Sequence, residues 1–389
     1  MKSYNPFISE IGIAAWNLNG FQQTINSFKY NKLHNQQVLD ILTVNKIFCL
    51  IETHHRAEDV GALHIEHFKC HSVCRPKSRN VKRYKPSGGL AVYIHTSIQP
   101  EVRIMSEPGT ESIIIKLKKE YFSQNNDIYV CFAYCVPSNS NVLHREFMPD
   151  DIWDDLQAKL AKYDAQGDII LLGDLNSRTH NLPDFIQGED NQHLPAPPLY
   201  TIDTIGTFDR FNIDQKVNSY GRKFIELCRS VPLRILNGRK LGDLMGNFTC
   251  INSRGSSAVD YGAVSPSLFH KVSHFQVHHL MPEVSDHTPI SLGLRVNARL
   301  EPPRGHYNFL PKPDKVVWNK EREQAFRCAV QSPDCQEAMM GFLATGIMPN
   351  QASVDQAAEF ITNILKHSAE LSGMPVKKGA VPRHSAWTD

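Results

Sequence analysis

The sequence predicts a layered α/β domain over residues 8–297 followed by a short helical tail, and three observations predict it. From residue 11 to residue 296, short apolar runs of strand length alternate with turn-rich or helical stretches. Several of these runs end on an amide or carboxylate side chain, where α/β folds place reactive groups. After Val296 the pattern breaks at Glu301-Pro302-Pro303-Arg304-Gly305, which reads as part of a linker over 298–315.

In chain order, strand character falls at about 11–17, 47–53, 89–95, 111–118, 127–136, 168–173, 232–237, 247–251, 258–265, 272–278 and 289–296. Helical spacing falls at 35–45, 145–164 and 217–230. In the second of these, Ile152, Leu156, Leu160 and Ala161 form one apolar stripe suited to packing on a sheet. Residues 181–216 carry Pro183, Pro195, Pro197 and Pro198 among several acids and read as a long surface loop. The tail, 316–389, offers helices near 316–330, 333–343 and 352–372.

Composition narrows the function classes. With 42 basic and 40 acidic residues, the net charge of +2 gives no global attraction to polyanions, so contact with nucleic acid requires a local patch. One exists between residues 69 and 85, where Lys69, Arg75, Lys77, Arg79, Lys82, Arg83 and Lys85 stand with no acid among them. That stretch carries +7, and the remainder of the chain is net acidic. No window approaches the ~20 apolar residues that span a bilayer, so the chain reads as intracellular. Nine cysteines without a C-x-x-C pair read as reduced thiols, and Cys70, His71 and Cys74 match no strong zinc spacing.

The chemistry-bearing motifs sit at strand ends. Ala15-Trp16-Asn17-Leu18-Asn19-Gly20 closes a strand with an amide pair. Ile47-Phe48-Cys49-Leu50-Ile51-Glu52 delivers a carboxylate from a buried run, which is costly unless it meets a partner or a cation; magnesium suits it. Asp168-Ile169-Ile170-Leu171-Leu172-Gly173-Asp174-Leu175-Asn176 is more specific. It places Asp174 and Asn176 two apart, where a carboxylate can activate water while an amide binds a phosphate oxygen. Ala258-Val259-Asp260-Tyr261 and Ser285-Asp286-His287 then supply an aspartate to orient a histidine, a histidine for the scissile phosphate, and a further aspartate within reach of a metal.

Taken together, Trp16-Asn17, Glu52, Gly173-Asp174-Leu175-Asn176, Val259-Asp260-Tyr261 and Ser285-Asp286-His287 resemble the ordered motif set of the endonuclease/exonuclease/phosphatase superfamily, over about three-quarters of the chain. Asn237-Gly238-Arg239, Gly242-Asp243 and Phe248-Thr249-Cys250 resemble the apurinic-endonuclease-like domain of non-LTR (LINE-type) retrotransposon polyproteins. The resemblance implies a four-layer α/β sandwich, two central mixed sheets flanked by helices, with Mg²⁺ (or Mn²⁺) at one edge. It implies Asn17, Glu52 and Asp286 as metal-site residues and Asp174, Asn176, Asp260, His287 and Tyr134 as catalytic ones. DNA is the implied partner, with RNA second, Arg75, Lys77, Arg79, Lys82, Arg83 and Lys85 as contacts, and the nucleus as location.

The sequence departs from the family in places. Tyr134-Cys135-Val136-Pro137 is one residue longer than the usual Tyr-to-Pro spacing, and Asn19 stands where the family often has an acid. The tail resembles the connector that precedes a reverse transcriptase, yet the sequence holds no Tyr-x-Asp-Asp polymerase motif. Two alternatives to a nicking endonuclease stay open: a phosphatase or phosphodiesterase acting on a small phosphoester, and a silent relic that binds nucleic acid without turnover.

Overall fold

The computed structural model describes residues 7–25, 28–77, 86–144, 147–185, 210–299, 315–344, 351–374 and 376–377. They fall into two compact units, Met1–Pro303 and Arg304–Asp389.

Two six-stranded mixed sheets form the first unit. Edge to edge, the first sheet runs Val272–Val277, Ile290–Arg299, Phe7–Asn17, Ile47–Ile51, Leu90–His95, Phe68–Val73. The second runs Arg234–Ile235, Asp260–Val264, Asp168–Asp174, Ile128–Tyr134, Ser112–Leu117, Val102–Ile104. Both share one plan: the two central strands are parallel and every other pairing is antiparallel. The expected α/β sandwich of two central sheets flanked by helices is thus the observed fold.

Period-2 alternation assigns the faces. Ile11, Ile13, Ala15, Ile47, Cys49 and Ile51 enter the large core shared with the second sheet. Their neighbours Ala14, Trp16, Phe48 and Leu50 enter a separate core with Val38 and Leu42 of the helix Gln36–Thr43. On the far side, Leu156 and Leu160 of the helix Ile152–Asp164 and Phe224 of the helix Ser219–Ser230 join the large core. Asp151 caps the former by accepting from the Trp153 amide at 2.8 Å, which explains why it starts later than residue 145.

The structure differs from the sequence reading in three respects. Phe68–Val73, which overlaps the start of the basic stretch, is an edge strand with Phe68 buried and Lys69 exposed. The strand expected at 232–237 shortens to Arg234–Ile235, because the chain turns at Gly238, where φ is +72° and a Cβ would lie 1.8 Å from the Phe211 carbonyl oxygen. Gln22–Ile25 with Phe28–Asn31, and Cys250–Asn252 with Gly255–Ser257, form short hairpins apart from the main sheets.

The second unit holds helices Pro333–Ala344 and Gln351–Leu371 where the periodicity predicts them, while the helix expected at 316–330 starts only at Glu323 and ends at Val330. Lys315–Val316 pairs antiparallel with Val376–Lys377. No helix among the described residues is long and apolar enough to cross a membrane.

A buried ion pair ties the loop after the strand Asp168–Asp174 to the strand Arg234–Ile235 and the turn that follows it. Asp184 is fully buried and accepts from Arg239 Nη1 at 2.6 Å, Arg239 Nη2 at 2.9 Å and the Ile235 amide at 2.7 Å. Burial opposes ionisation of Asp184, but these donors outweigh it and lower its pKa. A depressed carboxylate contributes stability above its unfolded pKa of about 3.9 and loses it as pH falls through the folded value. Asp184→Asn is expected to cost about 3–5 kcal/mol at neutral pH, because it leaves Arg239 buried against a neutral partner. Urea midpoints at pH 7 and in acid check this: the gap from wild type must shrink on acidification.

Candidate active site

Strand register brings the motif residues to one edge. Asn17 ends its strand opposite Ile51, and Glu52 follows Ile51. Asp174 ends its strand in register with Tyr134 on one side and Asp260 on the other. Five motif residues from four strands and one strand exit therefore meet where the two sheets adjoin.

The backbone at this edge is strained. Asn19, Glu52, His54 and Asn176 have φ of +49°, +51°, +53° and +47°, a region costly for residues with a Cβ. Amide bonds hold them there: Thr53 to the Gly89 carbonyl at 3.1 Å, His54 to Gly88 at 2.8 Å, Gly20 to Glu52 at 2.7 Å. Gly89 must lack a Cβ, which would sit 2.7 Å from the Thr53 hydroxyl.

Asn17 is fully buried and its Nδ2 donates twice, to Glu52 Oε2 at 3.1 Å and to Asp174 Oδ2 at 2.8 Å. The Tyr134 hydroxyl donates to Glu52 Oε1, so the longer Tyr-to-Pro spacing leaves this tyrosine on the carboxylate. His54 Nε2 stands 3.8 Å from the same oxygen. The Asn176 amide N–H donates to Asp174 Oδ1 at 3.0 Å, while its side-chain nitrogen donates to the Cys135 carbonyl at 2.9 Å.

His287 Nδ1 lies 2.9 Å from Asp260 Oδ2, and its Nε2 lies 4.0 Å from Asp174 Oδ2. The Asp260 carboxylate therefore fixes the ring with Nε2 toward Asp174. The Ser285-Asp286-His287 segment is anchored from both flanks. Ser285 Oγ donates to the Asn17 carbonyl at 2.7 Å, Trp16 Nε1 donates to the His287 carbonyl at 2.8 Å, and Ile251 N donates to the Asp286 carbonyl at 2.8 Å. The Asp286 carboxylate accepts from Asn19 Nδ2 at 3.3 Å and Asn252 Nδ2 at 3.2 Å. Asn19 thus meets this site as a donor to Asp286.

Electrostatics separate the acids. Burial alone would raise Glu52, but the nearby His54 imidazole, the Tyr134 hydroxyl and the Asn17 amide outweigh it and lower its pKa to about 2. Asp174 moves the other way, raised by burial and by the negative charge of Asp260. Burial opposes charging of His287, yet Asp260 and Asp174 raise its pKa well above the ordinary imidazole value. Converging carboxylates of which one is held ionised and another is repelled upward suit a divalent cation bound by oxygen. Glu52 is the strongest donor on that ground.

The nucleic-acid contacts read from the basic stretch divide. Lys77 is exposed. Arg79, Lys82, Arg83 and Lys85 lie outside the described residues. Arg75 is a correction: it is buried, with Nε and Nη2 on Glu111 at 2.7 and 2.5 Å and its guanidinium 5.5 Å from the centre of the Tyr134 ring. A guanidinium committed to a buried carboxylate is not presented to a phosphate, and Arg75 instead forms part of the wall behind Tyr134.

Beside His287 opens a cleft of about 540 Å³, lined in part by Asn176, Arg178, Lys216, Asn252 and Arg254. The sequence reading missed Arg178, Lys216, Arg254 and His54. Arg178 follows the Asp174 motif by four residues and His54 follows Glu52 by two, so adjacency was the available signal; Lys216 and Arg254 are brought in by tertiary folding.

The family model for the endonuclease/exonuclease/phosphatase family matches residues 14–320, and the chain belongs to that family. The AP endonuclease LMAP from Leishmania major aligns at TM-score 0.51 and 15% identity, covering 74% of this chain and 88% of that one. The catalytic domain of APE2 from Xenopus laevis aligns at TM-score 0.50 and 16% identity, covering 75% and 95%. At these identities the likeness establishes the fold. No curated protein matches the chain.

If Asp260 raises His287, removing its charge must lower the imidazole pKa. In Asp260→Asn without added metal, the His287 ring is expected to titrate at least one pH unit lower than in wild type, a change of about 1.4 kcal/mol. NMR of the imidazole resonances reads this directly, and an unmoved pKa would remove Asp260 as the orienting group.

Proposed function

We propose that this protein is a Mg²⁺-dependent phosphodiester hydrolase that nicks DNA, with an origin among non-LTR retrotransposon endonucleases. The observation that carries the reading is the pairing of a low-pKa carboxylate, Glu52, with an Asp260-oriented His287 across a shared edge that also holds Asp174.

Glu52 would hold the ion, with Asn17 and Asp286 completing the protein's side of the site. When bound, Mg²⁺ supplies charge that offsets the negative charge developing on the phosphate. The rest falls to side chains. Asp174, raised and fully desolvated, accepts the proton of the attacking water. With its Nδ2 given to Cys135, Asn176 offers its carbonyl oxygen to the same water. His287, kept cationic by Asp260, donates from Nε2 to a phosphate oxygen. Tyr134 holds Glu52 by its hydroxyl.

Nucleic acid as substrate is supported by Lys216 and Arg254 around the cleft and by the basic residues of the 69–85 stretch other than Arg75, while Arg178 is held by the buried Asp214. DNA as substrate implies a nuclear location. The retrotransposon origin rests on the Asn237–Tyr261 motif series, and residues 316–389, after the linker 298–315, read as the connector of such polyproteins.

Full-length protein is expected to convert supercoiled plasmid to nicked circles with Mg²⁺ and not with EDTA. Glu52→Ala or His287→Ala is expected to lower the rate by roughly 10²-fold or more, the scale of losing one electrostatic stabiliser. Release of inorganic phosphate from small phosphoesters with plasmid left intact would replace the nuclease by a phosphatase. Salt-sensitive DNA binding without cleavage would replace it by a binding module.

A further inference from the structure

Cys250 takes no part in the proposed phosphodiesterase chemistry, yet it lies beside His287 and Asp286. It lies in the short hairpin strand Cys250–Asn252, forms a backbone bridge with His287, and is 8% exposed. Its Sγ is 4.0 Å from Asp286 Oδ2, and one donor atom each from Cys250, Asp286 and His287 lies within 4.8 Å of the others. Asn252 Nδ2 contacts both Cys250 Sγ, at 3.6 Å, and Asp286 Oδ2, at 3.2 Å.

A thiol, a carboxylate and an imidazole are the donors of a borderline-soft ion such as zinc, whereas Glu52 stands among the Asn17 amide, the Tyr134 hydroxyl and the His54 imidazole, with no thiol. Tetrahedral Zn–S and Zn–O bonds place sulfur and oxygen roughly 3.5 Å apart, so closing the 4.0 Å gap takes a small side-chain rotation. Asp260 already holds His287 by Nδ1, the outer carboxylate contact that zinc-ligating histidines use, which leaves Nε2 as the ligand atom. Cys250 and His287 both line the 540 Å³ cleft, which gives an ion an entry path and leaves the fourth position to water.

We propose that Cys250, Asp286 and His287 form an inhibitory site for Zn²⁺ that shares Asp286 with the oxygen-donor site at Glu52. Binding replaces the thiol proton of Cys250 and the Nε2 proton of His287, both released to solvent, and forms Zn–S and Zn–N bonds with no change of oxidation state. A His287 that holds zinc has no Nε2 proton for a phosphate, and Asp286 is withdrawn from the oxygen-donor site. The inhibition rests on the phosphodiesterase reading; the coordination does not.

The test uses full-length protein and Co²⁺ as a spectroscopic substitute for zinc. Wild type is expected to develop a thiolate-to-cobalt charge-transfer absorption that zinc abolishes, that Cys70→Ser retains and that Cys250→Ser loses. Independently of any variant, zinc is expected to protect Cys250, and not Cys70, from alkylation as read by mass spectrometry. In hydrolysis assays with excess Mg²⁺, Cys250→Ser is expected to keep the wild-type rate and to raise the inhibitory zinc concentration at least tenfold. A charge-transfer band unchanged by Cys250→Ser, or equal alkylation of Cys250 with and without zinc, overturns the site. Wild type that forms the band and hydrolyses nothing overturns the nuclease reading and leaves the zinc site standing.

Discussion

Glu52 and Asp174 come from different sheets, and their carboxylates approach the same buried point, where two like charges repel strongly. The Asn17 side chain lies between them and donates to both, at 3.1 and 2.8 Å. This bridge depends on each sheet ending at the same height, and that follows from register: Asn17 opposite Ile51, Asp174 opposite Tyr134 and Asp260. A slip of one residue in either central parallel pair would turn these side chains into the opposite face. The apolar alternation that builds the cores therefore also aims the polar edge.

That edge is stabilised by its surroundings and not by its own conformations. Four residues in the left-handed region cost of order 1–3 kcal/mol each, and three carboxylates are desolvated. The opposing contributions are distributed. Gly88 and Gly89 accept from the Glu52 turn, Ser285 and Trp16 clamp the His287 segment, and the Arg75–Glu111 pair stands behind Tyr134. Glycine at 89 and asparagine at 17 are specified by this geometry as strictly as the acids are by chemistry.

Much of this was legible in the sequence, for physical reasons. Buried strands in an α/β domain are near-continuous apolar runs, so the central strands at Phe7–Asn17, Ile47–Ile51, Ile128–Tyr134 and Asp168–Asp174 announce themselves, together with the polar groups at their ends. Edge elements do not. Phe68–Val73 pairs on one side only and mixes polar with apolar residues, so it did not read as a strand. Arg75 could not be separated from its exposed neighbours, because its commitment to Glu111 spans 36 positions in the chain. Lys216 and Arg254 reach the cleft by tertiary folding alone. Charge counts along a chain register which side chains are basic but not which are already paired.

The central claim is that Glu52, held ionised by Tyr134, Asn17 and His54, is the ligand of a divalent cation at the junction of the two sheets. A crystal structure of the full chain grown with Mn²⁺ tests it most directly. The account predicts an anomalous peak bonded to a Glu52 carboxylate oxygen, with Asn17 or Asp286 at its side and His287 still on Asp260. Manganese absent from Glu52, or bound instead between Asp174 and Asp260 with His287 displaced, would contradict it.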